Sequence, residues 1–478
     1  MKSLHSLLLS LFCGTTLAAA KPNVVVIFMD DMGYGDIGAY GATKQKTPHL
    51  DRMAAEGMKL TSFYAAPVCS VSRAQLLTGC YGARIDVPAV YGPGSANGLN
   101  PSEVTIAERL KVLGYATMCI GKWHVGDQPE FLPTKQGFDG YFGIPYSNDM
   151  QRKSTETGER VTPLLRDDKV AELLTDEQQS RIVERSTDEA VRFITANKDK
   201  PFFLYLPHTA IHTPIYPGEK FRGKSSNGRV GDWIEEVDWS TGRVLDTLRE
   251  LKLAENTLVV FTSDNGPWLI KNADSGSAGP LRGGKGSTWE GGVRVPTLAW
   301  WPGKIAPKSS VDAIAGTIDL LPTAISVAGG SVPPQPVIDG RDLSPILFGK
   351  STESPRGVHY YFSGYKLQAV RKGPWKLAIE PQNETMGRPV AADANTEKPR
   401  LYHLDREIGE KTNLADAHPE IVRELSTLGE AIMAEIGGSK PAARRPAGKV
   451  EKPSFLYTSE GRGDAPKPKQ PKSRKKSE

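Results

Sequence analysis

The chain has 478 residues, 38% of them hydrophobic and 24% charged, with a formal net charge of +5. That length and balance exclude a wholly disordered chain and a polytopic membrane protein, and they suit one large α/β domain with a smaller appendage. The charge is uneven: residues 440–478 hold twelve Lys or Arg against four Asp or Glu, which leaves everything before them at −3.

At the start of the chain, Lys2 and His5 precede the apolar run LLLSLF, which leads to Ala18, Ala19 and Ala20. This is the layout of a secretory signal peptide spanning residues 1–20 and cut before Lys21, so an exported, periplasmic or secreted protein is expected. Phe12 is too bulky for a lipoprotein cleavage site before Cys13. No later stretch is apolar for long enough to span a bilayer. Loss of Cys13 leaves Cys69, Cys80 and Cys119, an odd number that points to one special thiol beside a candidate Cys80–Cys119 pair.

Four β-branched or aromatic runs each end in polar residues. NVVVIFMDD ends in Asp30 and Asp31, and YATMCIGKWH in Lys122 and His124. PFFLYLPHTAIH leads to His208 and His212, and TLVVFTSDNG ends in Asp264 and Asn265. Continuous apolar runs predict strands buried on both faces of a parallel sheet, with helices over 102–113, 178–197 and 232–252 between them. The fold class is therefore α/β: a large central, mostly parallel sheet flanked by helices. Ligands of such sheets bind beyond the carboxyl ends of the strands, so all four clusters are expected to face one site.

Between the first two runs lies PVCSVSRAQLLTG, residues 67–79. It puts Cys69 where a loop becomes a helix and Arg73 one turn later, and both the helix N-terminus and the cation favour an anion there. From residue 355 the texture becomes short alternating segments, which predict a small antiparallel sheet followed by a helix over 418–436. Residues 21–354 are thus expected to form the large α/β domain that carries the site and 355–437 a C-terminal α+β subdomain. The stretch 438–478, rich in Pro and Lys, reads as a basic disordered tail. Its RGD at Arg462–Asp464 reads as coincidence.

Asp30, Asp31, Asp264 and Asn265 offer only oxygen donors, the preference of hard cations such as Ca²⁺ or Mg²⁺. One such pair alone would be read as a turn or cap, but two pairs at equivalent strand ends point to a metal. Arg73, Lys122, His124 and Lys285, the last inside LRGGKGSTWEGG, add positive charge and proton donors. Beside a metal and a helix N-terminus they describe a site for a tetrahedral oxyanion, with Cys69 as the nucleophile or its precursor.

CSVSRAQLLTG resembles the first signature of the type I, formylglycine-dependent sulfatases of the alkaline phosphatase superfamily, and GYATMCIGKWH (Gly114–His124) resembles the second. DDMGYGD, SDNG, GIPYSND and LRGGKGSTWEGGVRVP are similar to further blocks of that family, and the likeness runs from Asn23 to Leu414. PHTAIHTP and DNGPW lean toward the branch of arylsulfatase A and N-acetylgalactosamine-6-sulfatase.

The resemblance implies that a formylglycine-generating enzyme oxidises Cys69 to an aldehyde that is present as its hydrate. The metal would be held by Asp30, Asp31, Asp264, Asn265 and the hydrate at 69, with Arg73 bracing that cluster. Lys122, Ser147, His212 and Lys285 match sulfate-contacting positions, His124 matches the base beside the hydrate, and His208 lies near the substrate. One hydroxyl of the hydrate would attack sulfur, and the other would allow sulfate to leave as the aldehyde re-forms. Val71 departs from the Pro or Ala that is usual two residues after the cysteine, in the segment read by the modifying enzyme.

The substrate implied for an exported member is a sulfated carbohydrate, with no specific nucleic acid partner and no membrane span. Two alternatives stand beside this reading. One is a phosphonate monoester or phosphodiester hydrolase of the same superfamily. The other is a non-catalytic, metal-containing binder of sulfated glycans with Cys69 unmodified.

Overall fold

The computed structural model describes residues 21–388 and 399–464. The expected signal peptide, residues 1–20, lies outside them. Asn23–Met29, Ala116–Ile120, Phe202–Pro207 and Thr257–Ser263 are the four apolar runs, and each is a strand. They lie side by side and parallel in the order 257–263, 23–29, 202–207, 116–120, and the strand Gly140–Gly143 continues the parallel set. Antiparallel and short strands at both edges extend the sheet to eleven strands.

Burial on both faces explains the unbroken apolar runs. Val24, Val26 and Phe28 join one core with Leu76 and Leu77 of the helix Cys69–Thr78, Leu110 of Ile106–Val112 and Leu321 of Leu320–Val327. Val25, Ile27 and Met29 point the other way, into a core with Ile194 of the helix Ile182–Ala196 and Trp233 and Leu245 of Gly228–Glu250. A strand wetted on one face would instead have alternated apolar and polar residues. The helix expected over 178–197 is divided in two, with the short Asp176–Gln179 preceding the longer one.

The register aligns the carboxyl ends of the strands. Met29 pairs with Ser263, Phe28 with Pro207 and Tyr205 with Cys119. Residues 30–31, 264–265, 208–212 and 122–124 therefore emerge together. Beyond residue 355, the strands His359–Ser363, Lys366–Lys372, Trp375–Ala378 and Arg400–His403 form an antiparallel sheet in chain order, packed by the helix Pro419–Glu435.

The reading of 438–478 as disordered is corrected over 440–464. Gly448–Lys449 pairs with Asn97–Gly98, and Ser454–Thr458 forms a hairpin with Gly461–Asp464. Arg445 makes an ion pair with the buried Glu103 at 2.6 Å, and Leu456 is buried. A few well-spaced anchors hold this strap, and an average over its Lys and Pro content hides them. The rest of the expected tail, 465–478, lies outside the described residues. Among the described residues no helix is long and apolar enough to cross a membrane.

Candidate active site

Two consecutive residues of a strand normally point to opposite faces. Asp30 ends the strand normally, but Asp31 adopts a left-handed conformation (φ 61°), which an Asp tolerates and which breaks the alternation. Both carboxylates are buried, as are Asp264 and Asn265. The backbone N–H of Asp31 donates to Asp264 Oδ1 (3.2 Å), and Asn265 Nδ2 donates to Asp31 Oδ1 (2.7 Å), which joins the two strand ends. Cys69 is the first residue of a ten-residue helix buried along its whole length. Its sulfur lies with carboxylate oxygens of Asp30 and Asp264 in a group whose ligand atoms are all within 4.8 Å of one another.

Cations close the ring. Arg73 Nη2 is 2.8 Å from Asp264 Oδ2 and 3.8 Å from Asp30 Oδ2, and its Nη1 donates to the Lys122 carbonyl (2.8 Å). Lys122 Nζ pairs with Asp30 and donates to Ser147 Oγ at 3.2 Å. Lys285 Nζ is 2.6 Å from Asp31 Oδ1. Ser147 Oγ is also 3.4 Å from His212 Nδ1, and His212 Nε2 is 3.7 Å from Asp31 Oδ2. Eleven of the twelve residues expected at the site thus converge in one buried ionic network or, for His124, on its border.

Burial and charge set the protonation states. Burial alone would raise the Asp30 carboxyl, but Lys122, His212, Arg73 and Lys285 outweigh it and hold Asp30 well below the usual range. Asp264 goes the other way, to about 7, through burial and the Asp30 charge. Burial also pushes the Cys69 thiol up, against the pull of Lys122 and Lys285, so an unmodified thiol is held protonated. The anion-favouring helix start is thus outweighed for sulfur.

The histidines are depressed. His124 falls well below its ordinary value through burial and the charges of Lys122 and Arg73, and His212 falls through burial and Lys285. Hydrogen bonds select their tautomers. His124 Nε2 faces the Tyr91 carbonyl at 3.0 Å and must donate, which leaves its buried Nδ1 as a free acceptor. His212 Nδ1 donates to the Thr213 carbonyl (2.6 Å), which leaves the lone pair on Nε2.

His208 is a correction. Its Nε2 pairs with Ser240 Oγ (3.1 Å), which in turn meets Thr187 Oγ1 (2.6 Å) on the neighbouring helix. It drops to about 4 from burial alone, without a contribution from the site's charges. The imidazole belongs to the packing beneath the sheet. The candidate Cys80–Cys119 pair is also corrected: both thiols are free and buried. Cys119 lies inside the central sheet, whereas Cys80 follows the 69–78 helix and contacts Arg445 at 3.2 Å.

The Sulfatase family pattern matches residues 22–330. The chain is 38% identical to arylsulfatase A of Homo sapiens over 466 residues, covering 89% of this chain and 90% of that one. It is 37% identical to N-acetylgalactosamine-6-sulfatase of Sus scrofa over 456 residues, at 86% and 85% coverage. Its fold superposes on the PsFucS1 sulfatase from Pseudoalteromonas sp. with a TM-score of 0.79 and 32% identity, at 87% and 90% coverage.

The chain belongs to the sulfatase family.

In this sulfatase-type hydrolase the buried donor set fits a divalent cation. Asp30 Oδ1 and Asn265 Oδ1 are buried and have no hydrogen-bond partner. Orphaned buried oxygens are costly unless something else satisfies them, and a hard cation does so.

Several residues at the site were not singled out from the sequence. Ser72 Oγ accepts from the Ala66 N–H (2.7 Å) and donates to the Asp264 carbonyl, tying the first helical turn to the end of a strand. It stands inside CSVSR, so the motif itself carried the signal. Asn148 Nδ2 holds the carbonyls of His212 (3.2 Å) and Pro214 (3.1 Å), and Asp149 Oδ1 lies 4.0 Å from His212 Nδ1. Trp268 stands beside His212 with ring centroids 5.7 Å apart.

Proposed function

We propose that this sulfatase is an exported enzyme that hydrolyses sulfate esters of carbohydrates through a formylglycine hydrate derived from Cys69. Asp30, Asp31, Asp264 and Asn265, with the hydrate, would hold Ca²⁺ or Mg²⁺. The observation that carries the reading is the placement of Cys69 Sγ, at a buried helix start, among the Asp30 and Asp264 carboxylates. A sulfated sugar is supported by the N-acetylgalactosamine-6-sulfatase relative, whose name specifies one.

The formylglycine hydrate supplies two hydroxyls on one carbon, one to receive the sulfuryl group and one through which sulfate is released. A bound cation supplies Lewis-acid stabilisation of the oxygens that gather charge. The chain's own residues do the rest. Arg73 braces Asp264 and the Lys122 backbone, which fixes two sides of the pocket. Lys122, Ser147 and Lys285 present donors to sulfate oxygens. Lys285 through its charged Nζ protonates the departing alcohol, as does His212 through Nε2 in the form that has first taken up a second proton there. His124 is neutral, its Nδ1 lone pair free, and takes the proton of the second hydroxyl.

Mass analysis of the purified protein's residue-69 peptide, with an aldehyde-reactive probe, tests the modification. Rates on an aryl sulfate and a phosphodiester, measured side by side, test the reaction. Aldehyde at 69 with faster sulfate turnover is expected. Unmodified cysteine in active protein, or preference for the phosphodiester, would overturn the reading.

A further inference from the structure

The segment that follows Asp264 and Asn265 continues past the metal and sulfate groups. Pro267 accepts the backbone N–H of Lys285 at 2.8 Å, so Trp268 is fixed next to Lys285. Its indole N–H is spent on the Met386 carbonyl at 3.1 Å, a contact from the C-terminal subdomain. Trp268 is nonetheless partly exposed. Lys285 Nζ lies 5.1 Å and the His212 ring 5.7 Å from the indole. These are the two groups assigned to the leaving alcohol, whereas His124 is anchored elsewhere, on Tyr91. Trp268 therefore borders the side of the pocket from which the body of the substrate departs.

Lys271 rests its ammonium 4.1 Å from the Trp268 ring centroid. Asp274, at the far end of the same 3-10 segment, pairs with Arg229 (4.0 Å), and Lys271 makes no ion pair among the described residues. A partly exposed ammonium on an aromatic face is held weakly and is free to meet an anion. The indole, with its only donor used, offers a ligand its carbon surface alone.

We propose that Trp268 and Lys271 form a recognition subsite for the leaving alcohol: Trp268 packs against the sugar ring, and Lys271 reads a second anionic substituent on that alcohol. This rests on the sulfatase reading above. The anion is a carboxylate or a further sulfate, and the choice of substrates separates the two.

The test uses full-length protein with formylglycine confirmed at 69. Its substrates are a monosulfated N-acetylhexosamine, its disulfated counterpart and a sulfated disaccharide bearing a uronate. K271A is expected to raise KM for one dianionic substrate about fivefold more than for the monosulfated sugar, with kcat within about twofold for both. W268A is expected to raise KM on all the sugars by roughly tenfold, and W268F to recover most of that loss, because it keeps the aromatic face and lacks only the N–H bond. An equal effect of K271A on mono- and dianionic sugars, or W268F as poor as W268A, would overturn the subsite while leaving the sulfatase reading intact. Wild type that turns over none of these sulfates would overturn both.

Discussion

Arg73 and Asp264 are joined by two contacts to one oxygen: Nη2 at 2.8 Å and Nε at 3.2 Å from Asp264 Oδ2. Both side chains are fully buried. The pair spans 191 positions of sequence and ties the 69–78 helix to the end of the 257–263 strand, with Cys69 and the carboxylate oxygens suited to a cation between them.

Removing one partner leaves the other charge buried and unpaired. Arg73→Ala is therefore expected to cost about 3–5 kcal/mol of stability, read as a lower urea midpoint and a lower soluble yield. Arg73→Lys keeps the charge but loses the fork that reaches both Asp264 and the Lys122 carbonyl, and should fall between wild type and alanine. An alanine variant as stable as wild type would refute this account.

Cation removal should destabilise as well as inactivate, because the orphaned Asp30 and Asn265 oxygens then have no partner. Adding Ca²⁺ or Mg²⁺ to chelated protein at a hundred times its dissociation constant is expected to restore about 2.7 kcal/mol. Asp264→Asn should lose metal by elemental analysis and lower kcat by roughly 10²–10³. Full activity in metal-free protein would contradict the site as described.

Val71 lies in the first helical turn, where the first i→i−4 bond is Ser72 N–H to the Val68 carbonyl (3.1 Å). Its own N–H is one of those a helix start leaves unpaired, so proline is tolerated there. Val71 also packs closely on Gly82, where an added Cβ would come within 2.5 Å of Val71 Cγ1. Val71→Pro should cost no more than about 1–2 kcal/mol and raise the formylglycine fraction by peptide mass, with activity per modified molecule unchanged. Cys69→Ser should fold and bind metal yet turn over no more than once. Sustained turnover by unmodified serine would exclude the two-hydroxyl chemistry.

Glu236 gives a pH dependence away from the site. It is buried, accepts the Gly218 N–H at 2.8 Å, and is raised to about 8, chiefly by burial. A carboxyl raised in the folded state favours folding below its ordinary value, and that contribution is lost as pH rises through the folded value. Stability should therefore decline by a few kcal/mol between about pH 4.5 and 8. Glu236→Gln, whose amide oxygen still accepts from Gly218, should flatten that slope in urea titrations. An identical slope in the variant would assign it to other groups.

The C-terminal strap separates two truncations. Ending the chain after Asp464 removes only Ala465–Glu478, a stretch of Lys and Pro with little apolar content, and should leave melting temperature and aryl sulfate turnover unchanged. Ending it after Lys440 also removes Arg445, strands the buried Glu103, and uncovers the surface beneath Leu456. That loss should cost roughly 3 kcal/mol or more, seen as poor solubility or a lower melting temperature. Equal stability of the two truncations would refute the strap's role.

The sequence by itself determined the α/β class and the convergence of the site. Unbroken β-branched and aromatic runs bounded by polar clusters suit strands of a parallel sheet covered on both faces, and such a sheet brings Asp30, Asp31, Lys122, His212, Asp264 and Asn265 to one end. Motif spacing carried Cys69, Arg73 and Lys285 as well. Tertiary structure decided what depends on direction and on distant partners. His208 and His212 are both polar residues beyond one strand, and only packing sends the first to Ser240 and the second to Asp31. Cys80 and Cys119 share one buried core yet carry free thiols, which their positions in the sequence do not reveal. The strap at 440–464 folds because Arg445 finds Glu103 across more than three hundred residues, a pairing that no local composition encodes. Trp268 is held beside Lys285 and His212 by the bond between the Pro267 carbonyl and the Lys285 N–H and by its own indole bond to Met386, contacts that only the folded chain makes.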